Sequence, residues 1–465
     1  MQRAALCALL PLALVLAACR SAPEYRRPDV SVPPQFKEAP AFKHAQNGSD
    51  GWQPAQPADL NGAPWWQAFN DQPLSHLMND IELGNQNLRQ AEARLRRAQA
   101  AIAGARAGLM PSVGANVSAT QRRQGGSSGG SYSLGASASW EIDLWGRVRD
   151  TISASEAAAA ASEYDLAATR LALQVQLARS YFQLRVADAQ QRLLDEAVTS
   201  YERSLKLARD RFAAGVVSRA DVVQAQAQLK AAEAQRLDVG IVRAQLEHAI
   251  AVLTGRAPAE LALTPASLDE AAPGVPAGVP STLLERRPDI AAAERRVAQA
   301  NAQIGVAQAA YYPSLTLSGS GGFSSTRFAD WLSLPSRFWS LGPQLAAFLF
   351  DGGARDAARA QALASYDETV AAYRQTVLTA FQEVEDNLAA LNVLAAEERV
   401  QREALAAARQ SLELVTAQYK AGTVSYLNVI QAQTTALQNE LTVLALRGRR
   451  FAATVGLISA IGGDW

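Results

Sequence analysis

The sequence has very little cysteine, few aromatic residues and no excess of either charge. Its only two cysteines, Cys7 and Cys19, lie near the N-terminus, so disulfides cannot hold the rest of the chain together. Aromatic residues make up 7% and all hydrophobic residues 49%, which favours long helices packed through small side chains over a thick globular core. Lys plus Arg and Asp plus Glu both number 44 without a long block of one sign. This balance argues against a nucleic-acid partner or a polybasic membrane patch.

Residues that carry chemistry are scarce as well. The three histidines, His44, His76 and His248, are far apart and have no cysteine or carboxylate at ligand spacing, so we predict no metal site. The sequence shows no Ser-His-Asp set, P-loop or glycine-rich nucleotide turn. Acidic pairs such as Glu383 and Glu385 are interpreted as the solvated face of a helix. We therefore expect a protein that is not an enzyme and needs no cofactor.

The N-terminus is typical of an export signal. Arg3 is followed by an apolar run at 4–15, which is shorter than the ~20 residues of a membrane-spanning helix. The ending Leu-Ala-Ala-Cys at 16–19 resembles the bacterial lipobox, which implies a signal peptide at 1–18 and a Cys19 carrying diacylglycerol and an N-acyl lipid. Arg20 replaces the Asp of the enterobacterial inner-membrane retention signal, which favours the outer membrane. The alternative is an unmodified Cys19 in an ordinary signal; in either case residues 19–72 form a proline-rich, extended arm.

An internal duplication organises the rest of the chain. The matching segments are 91–112 with 293–314, 146–150 with 352–356, and 212–218 with 419–425, at offsets of 202, 206 and 207 residues. Because the offsets drift so little, each copy contains the same elements in the same order. We predict a first repeat at 73–257, a linker rich in Pro, Ala and Gly at 258–280, and a second repeat at 281–465.

Each repeat contains a helix, a pair of strands, a long helix and a returning helix. The predicted helices are 74–109, 146–214 and 221–253 in the first copy, and 289–310, 353–421 and 428–461 in the second. The longest segments lack proline and internal glycine, and ~65 residues at 1.5 Å per residue give a rod on the order of 100 Å. Their sustained Ala, Leu and Gln periodicity favours a coiled-coil bundle.

The strands follow from alternation of apolar and polar residues. Period two is clear at 112–120, 131–140 and 314–319, with a glycine-serine loop predicted at 125–130. A fourth strand near 339–350 carries Pro343 and alternates less regularly. Strands of about ten residues suffice to cross a bilayer in a barrel, but four strands cannot close one, since such barrels need at least ~8. We therefore expect a homotrimer that pools 12 strands around a lumen lined by Ser, Gly, Asn and Thr.

Several motifs together resemble one family. They are Tyr-Arg-Arg-Pro at 25–28, Trp-Trp-Gln-Ala-Phe at 65–69, Asp-Leu-Trp-Gly-Arg at 143–147, Leu-Glu-Arg-Arg-Pro-Asp-Ile at 284–290 and Ala-Tyr-Tyr-Pro-Ser at 310–314. In this order they resemble the TolC-type outer-membrane factor superfamily, and within it the NodT-like lipoprotein branch that serves resistance-nodulation-division efflux pumps.

The resemblance implies a mostly α fold with β. A trimeric, 12-stranded transmembrane β-barrel, with four strands per chain, would stand on a long α-helical periplasmic barrel, and 258–280 would join an equatorial layer. The implied function is the outer-membrane channel of a tripartite efflux system that passes small amphiphilic compounds or drugs. The implied partners are two further copies of the chain, a periplasmic adaptor, an inner-membrane pump and outer-membrane lipid. An exit duct for proteins or oligosaccharides would share the fold, whereas a non-conducting coiled-coil tether would not need the strand pairs.

The resemblance also places a periplasmic gate at the helix turns, 215–221 and 422–431. Leu427 would form an apolar ring, and Gln431 occupies a position that is often acidic in relatives. Asp221 is the acidic residue left nearby, and it is equally well explained as a cap of the returning helix.

Two further groups are open to more than one interpretation. Arg286, Arg287 and Asp289 could form an ion pair between protomers, but Pro288-Asp289 favours a helix start. Six tryptophans are interpreted as an interfacial girdle at strand ends rather than as a ligand site: Trp65, Trp66, Trp140, Trp145, Trp331 and Trp339.

Overall fold

The computed structural model describes residues 23–39, 64–268, 271–275 and 286–463. Cys19, His44 and the end of the predicted linker lie outside these residues. The chain divides into two compact units, each built from both repeats. The sheet unit comprises the described residues within 1–30, 91–165 and 289–376, and the helical unit those within 31–90, 166–288 and 377–465.

The described residues form seven α-helices and four β-strands. In chain order they are α1 Gln72–Gly84, α2 Gln86–Ala107, β1 Ser112–Gln124, β2 Ser127–Ile142, α3 Arg147–Ala213, α4 Arg219–Leu253, α5 Pro288–Ala309, β3 Ser314–Ser325, β4 Arg337–Ala346, α6 Ala354–Ala421 and α7 Tyr426–Ala460. The long helices α3 and α6 have 67 and 68 residues, and the returning helices α4 and α7 have 35 each. The predicted positions of these four helices are confirmed to within two residues at every end. No helix in the described ranges is both long enough and apolar enough to cross a membrane.

The first predicted helix is in fact two helices, so the expectation of one helix over 74–109 is wrong. Asn85 separates α1 from α2, and its buried side chain accepts a hydrogen bond from Leu88 N at 3.0 Å and donates one to Leu253 O at 2.7 Å. A Cβ on Gly84 would lie 2.2 Å from the carbonyl oxygen of Thr254. The break therefore lies where two backbones approach too closely for a side chain.

The four strands form one antiparallel sheet in the order β1-β2-β3-β4. The predicted loop at 125–130 is wrong in extent, because only Gly125 and Gly126 turn, with φ of 58° and 90°. Two positive φ angles fit a tight hairpin turn, and the ladder continues to Gln124 and Ser127. The fourth strand ends at Ala346 rather than near Phe350. Among the described strands of this chain β4 is the last of the sheet, with a strand neighbour on one side only, a position in which Pro343 is tolerated.

The core of the helical unit includes an aromatic cluster formed by Trp65, Trp66, Phe69, Phe182 and Phe451. Phe182 stacks on Phe451 at 4.5 Å and lies 4.8 Å from Phe69, and Trp65 meets Trp66 edge to face at 5.8 Å. Both tryptophans are buried. The girdle interpretation of Trp65 and Trp66 is therefore wrong: they follow the arm, not a strand, and their burial stabilises the helical unit.

Charged side chains of α3 and α4 hold the start of the linker. Arg185 donates to Thr264 O at 2.8 Å, and Arg243 donates to Leu263 O at 2.5 Å. Asp188 is 3% exposed, pairs with both arginines at 2.9 Å and 2.8 Å, and accepts from Ala266 N at 3.2 Å. The described linker is thus fastened by backbone-directed hydrogen bonds although it has almost no secondary structure.

Candidate functional site

The sheet presents two chemically different faces. Directly paired residues share a face, so odd-numbered residues of β1, β3 and β4 lie with even-numbered residues of β2. This face is apolar, and it carries Val113, Val117, Leu134, Trp140, Ile142, Leu315, Leu317, Phe323, Trp339, Leu341 and Leu345. Val113, Val117, Trp339, Leu341 and Leu345 are 65–78% exposed. Large apolar side chains are thus presented outward in a regular array.

The other face is rich in hydroxyl groups. The Oγ atoms of Ser118 and Ser133 are 2.7 Å apart across β1 and β2, and those of Ser320 and Ser340 are 2.8 Å apart across β3 and β4. The remaining residues on this face are mainly Ser, Thr, Gly, Asn and Gln. Such a face suits contact with water.

The junction between the sheet and α3 is built by the Asp-Leu-Trp-Gly-Arg motif. Asp143 accepts from the backbone N of Val148 and Arg149 at 3.1 Å and 3.0 Å, which caps α3. Trp145 stacks on Tyr312 at 4.7 Å, and its indole N donates to Pro313 O at 2.7 Å. The motif therefore joins the two repeats where strands meet helices.

The Tyr-Arg-Arg-Pro motif fastens the arm to α5 and α6. The Tyr25 hydroxyl donates to the Glu294 carboxylate, and burial together with that carboxylate raises the pKa of Tyr25. Arg27 Nε donates to the Tyr373 hydroxyl at 3.0 Å, and Asn301 Nδ2 donates to Pro23 O at 2.9 Å. Buried Glu294 and Asn301 gave no recognisable signal in the sequence, because their partners are more than 260 positions away.

The two turns between the long and returning helices have the same backbone geometry. Gly215 and Gly422 adopt φ of 72° and 80°, which favours glycine. The residue after each glycine donates to the carbonyl five positions earlier, at 2.9 Å and 3.0 Å. Both turns are thus Schellman closures, as the matched sequences predict in outline.

A buried cluster lies beneath the turns and holds them together. Its members are Val198, Tyr201, Leu205, Ala208, Ala225, Leu229, Ala232, Tyr419, Tyr426 and Val429. Arg211, at the end of α3, donates to the carbonyl oxygens of Tyr419 and Lys420 at 2.8 Å and 3.2 Å, which closes the end of α6. Burial raises the pKa of Tyr426 to about 12, and the buried Tyr419 hydroxyl has no hydrogen-bond partner within the described residues.

The predicted gate residues lie near the starts of α4 and α7, Asp221 and Leu427 in the first turns and Gln431 in the second turn of α7. Asp221 is engaged in a capping box: it accepts from Ser218 N at 3.1 Å, and its own N donates to Ser218 Oγ at 3.3 Å. Leu427 is 47% exposed, and Gln431, one turn further on the same face, is also exposed. The structure thus gives Asp221 a local role and leaves the side chains of Leu427 and Gln431 accessible.

The helix-start interpretation of Arg287 and Asp289 is confirmed. Helix α5 begins at Pro288, and Asp289 lies in its first turn. Arg287 is 7% exposed and donates within its own chain to Glu383 at 2.6 Å and to Ala460 O at 3.0 Å. Glu383 is therefore an ion-pair partner as well as a helix-face residue. Within the described part of the chain, no group of three or more His, Cys, Asp or Glu side chains could hold a metal ion.

The chain matches known outer-membrane efflux proteins in sequence and in structure. The chain matches the family described as outer membrane efflux protein over residues 77–256 and 279–463. It is 34% identical to the pyoverdine export outer membrane protein OpmQ of Pseudomonas aeruginosa, over 98% of this chain and 96% of the relative. It is 33% identical to the probable efflux pump outer membrane protein TtgC of Pseudomonas putida, over 99% and 96%.

A solved structure shares the fold as well. The outer-membrane channel OprN superposes with a TM-score of 0.87 at 30% identity, covering 96% of this chain and all of that one. The mostly α fold with a small antiparallel sheet is thus confirmed, as is the resemblance drawn from the motifs. This chain belongs to the outer membrane efflux protein family and is an outer-membrane channel component of an efflux system.

Proposed function

We propose that three copies of this chain close one 12-stranded barrel in the outer membrane and form the passive exit duct of a tripartite pump. The duct receives small amphiphilic compounds from a resistance-nodulation-division pump through a periplasmic adaptor. The repeats at 73–257 and 281–465 each supply one strand pair and one helix pair, and 258–280 joins them. No catalytic step is required of any residue.

The open sheet is the observation that carries this proposal. Within the described residues, β1 and β4 each have a strand neighbour on one side only, so both edges carry unpaired backbone groups. Strands of 10–16 residues are long enough to cross a bilayer. In lipid, the backbone N–H and C=O groups at those edges would have no hydrogen-bond partners. Pairing β4 of one copy with β1 of the next removes both edges.

The two faces favour the same arrangement. The apolar face, with Trp339 78% exposed, suits lipid, and the hydroxyl face suits a water-filled lumen. A wall of short hydroxyl side chains offers few specific contacts, which fits a duct that passes what the pump selects.

Leu427 and Gln431 are proposed to form the narrowest part of the periplasmic end. An apolar ring at Leu427 resists wetting, and Gln431 supplies an uncharged amide one turn further, where an acidic ring would bind cations. Asp221 contributes by fixing the turn through its capping box, so opening requires the paired turns to move apart as units.

Lipidation of Cys19 is proposed to anchor the arm in the outer membrane. The motif at 25–28 begins six residues after Cys19 and is fixed to α5 and α6 by Tyr25 and Arg27. A lipid on Cys19 would therefore be held close to the sheet unit. Mass spectrometry of the N-terminal peptide tests this, and an unmodified Cys19 thiol in membrane-extracted protein would contradict it.

Planar-bilayer recording of the detergent-purified protein tests the duct and its gate. We expect the full chain to insert as a trimer and show low conductance, and Leu427→Ser to raise conductance severalfold because the apolar ring becomes wettable. Leu414→Ser, at an equally accessible leucine of α6 that is 58% exposed, is the matched control and should not change conductance. If neither the wild-type trimer nor the Leu427→Ser trimer conducts, the duct is overturned. If Leu427→Ser and Leu414→Ser change the conductance equally, the role of Leu427 is overturned.

A further inference from the structure

The polar face of the sheet carries almost no charge. Among the described side chains on this face, the charged ones are Arg122 on β1 and Glu141 on β2. Glu141 lies at the helix end of the sheet and is neutralised by Arg147, whose guanidinium donates to it at 2.8 Å and 2.6 Å. Arg122 lies at the opposite, loop end of the sheet. It is ten residues along β1 from Ser112 and therefore about 33 Å from it.

Arg122 has an open environment. It is exposed, and its ladder partner on β2 is Gly129, where an added Cβ would meet no atom within 4 Å. The next paired positions on the same face, Thr120 and Ser131, are uncharged. The nearby acid at this end, Asp330, is paired with Arg327 at 2.6 Å. Among the described residues no carboxylate pairs with Arg122, so its guanidinium is an uncompensated positive charge on the polar face.

The neighbouring arginine provides a contrast. Arg123 pairs with Ser128 and lies on the apolar face, as successive strand residues must. On that face and at that end lies an aromatic group in which Tyr132 is 5.4 Å from Phe328 and 6.1 Å from Trp331. An arginine beside such a girdle suits the lipid headgroup region, whereas an arginine on the polar face has no lipid to contact.

We infer that Arg122 sets the ion preference of the outer mouth, where three copies form a cationic collar that favours the exit of anionic solutes. This inference rests on the proposed duct, since only a closed barrel turns one arginine per chain into a ring. Positive side chains around a pore concentrate anions and exclude cations. With three unit charges on the order of 10 Å from the axis and screening at 0.1 M salt, the local anion concentration rises roughly twofold and the cation concentration falls roughly twofold, so their ratio changes roughly fivefold.

Reversal potentials in a potassium chloride gradient test the collar, in an open background such as Leu427→Ser. Arg122→Gln should lower the chloride-to-potassium permeability ratio roughly fivefold at 0.1 M salt, and the difference should shrink at 1 M, where the Debye length is ~3 Å. Arg123→Gln, one residue away on the other face, should leave the ratio unchanged. Equal ratios with and without Arg122→Gln in that open background would overturn the inference while the conducting channel stands, whereas absent conductance would overturn the duct itself.

Thiol labelling provides a second readout that does not depend on charge. The only native cysteines are Cys7 and Cys19, so Arg122→Cys and Arg123→Cys add one distinctive thiol each. A water-soluble anionic thiosulfonate should alter the current through Arg122→Cys and not through Arg123→Cys. The opposite pattern would place Arg122 outside the lumen and refute the collar.

Discussion

Glu398 of α6 is expected to stabilise the helical unit at neutral pH through its charge. It is 3% exposed, accepts from Arg450 at 2.6 Å, pairs with Arg402, and lies 3.8 Å from Arg447. Burial alone would raise the pKa of Glu398, but the hydrogen bonds and charges of Arg450 and Arg402 outweigh it and hold the pKa below its ordinary value. Glu398→Gln keeps the shape of the side chain and removes the charge.

The expected loss follows from the surroundings of the three arginines. Breaking a fully buried ion pair costs roughly 3–5 kcal/mol, but the Arg450 and Arg402 side chains are 31% and 55% exposed and regain water. We therefore expect Glu398→Gln to lower the free energy of unfolding by about 2 kcal/mol at pH 7. Because the folded pKa is depressed, this stabilisation is present above the unfolded value of about 4.3 and is lost as pH falls through the folded pKa.

Thermal unfolding in detergent at pH 7 and at acid pH below 4 measures this effect. Glu397→Gln is the matched control, since Glu397 is 46% exposed and lies 3.6 Å from Arg449, a geometry worth less than about 1 kcal/mol. The midpoint of Glu398→Gln should fall by about 2 °C at pH 7 and approach that of wild type in acid. Equal midpoints for the two variants at pH 7, or a larger deficit in acid, would refute the reasoning.

Two further predictions concern the paired turns, and the same unfolding assay measures both. Gly422→Ala should lower stability by roughly 1–2 kcal/mol, because φ of 80° is strained for alanine. Tyr419→Phe should raise stability by about 1 kcal/mol, because it removes a buried hydroxyl that has no partner within the described residues.

Each of these substitutions has an internal control. Gly240→Ala, within α4 and with no atom within 4 Å of the added Cβ, should stabilise by roughly 0.5–1 kcal/mol, so a loss there equal to that of Gly422→Ala would contradict the backbone argument. Tyr426→Phe removes a hydroxyl that bonds Ser204 and should destabilise. A stability loss in Tyr419→Phe as large as in Tyr426→Phe would show that the Tyr419 hydroxyl is in fact satisfied.

The sequence predicts the regular elements well because their signals are local. Runs without proline or internal glycine define α3 and α6, and strict alternation defines the faces of β1, β2 and β3. Glycine and serine also dominate mobile connections, so the sequence predicts a loop over the whole of 125–130, yet only Gly125 and Gly126 leave the ladder. The sequence favours a girdle for Trp65 and Trp66 because it does not show that Phe182 and Phe451 pack in the same cluster.

The candidate site was only partly predictable, for a related reason. The duplicated glycines identify both turns, and Ser218 and Asp221 are close enough in sequence for a cap to be foreseen. The contacts that join the turns are not foreseeable, since Arg211 and Tyr419 are 208 positions apart. Which face of β1 Arg122 occupies does follow from alternation, but its isolation becomes visible only once Gly129 is known to lie opposite.

Asp188 and Arg243 hold the start of the linker against α3 and α4, so this part of the linker belongs structurally to the first repeat. Every bond described for residues 263–266 is made to α3 or α4, and Val275 further along is 1% exposed. A chain divided after the linker would leave the first piece with all of these bonds intact. The two repeats can therefore be produced as separate chains, and their reassembly measures how strongly one repeat recognises the other.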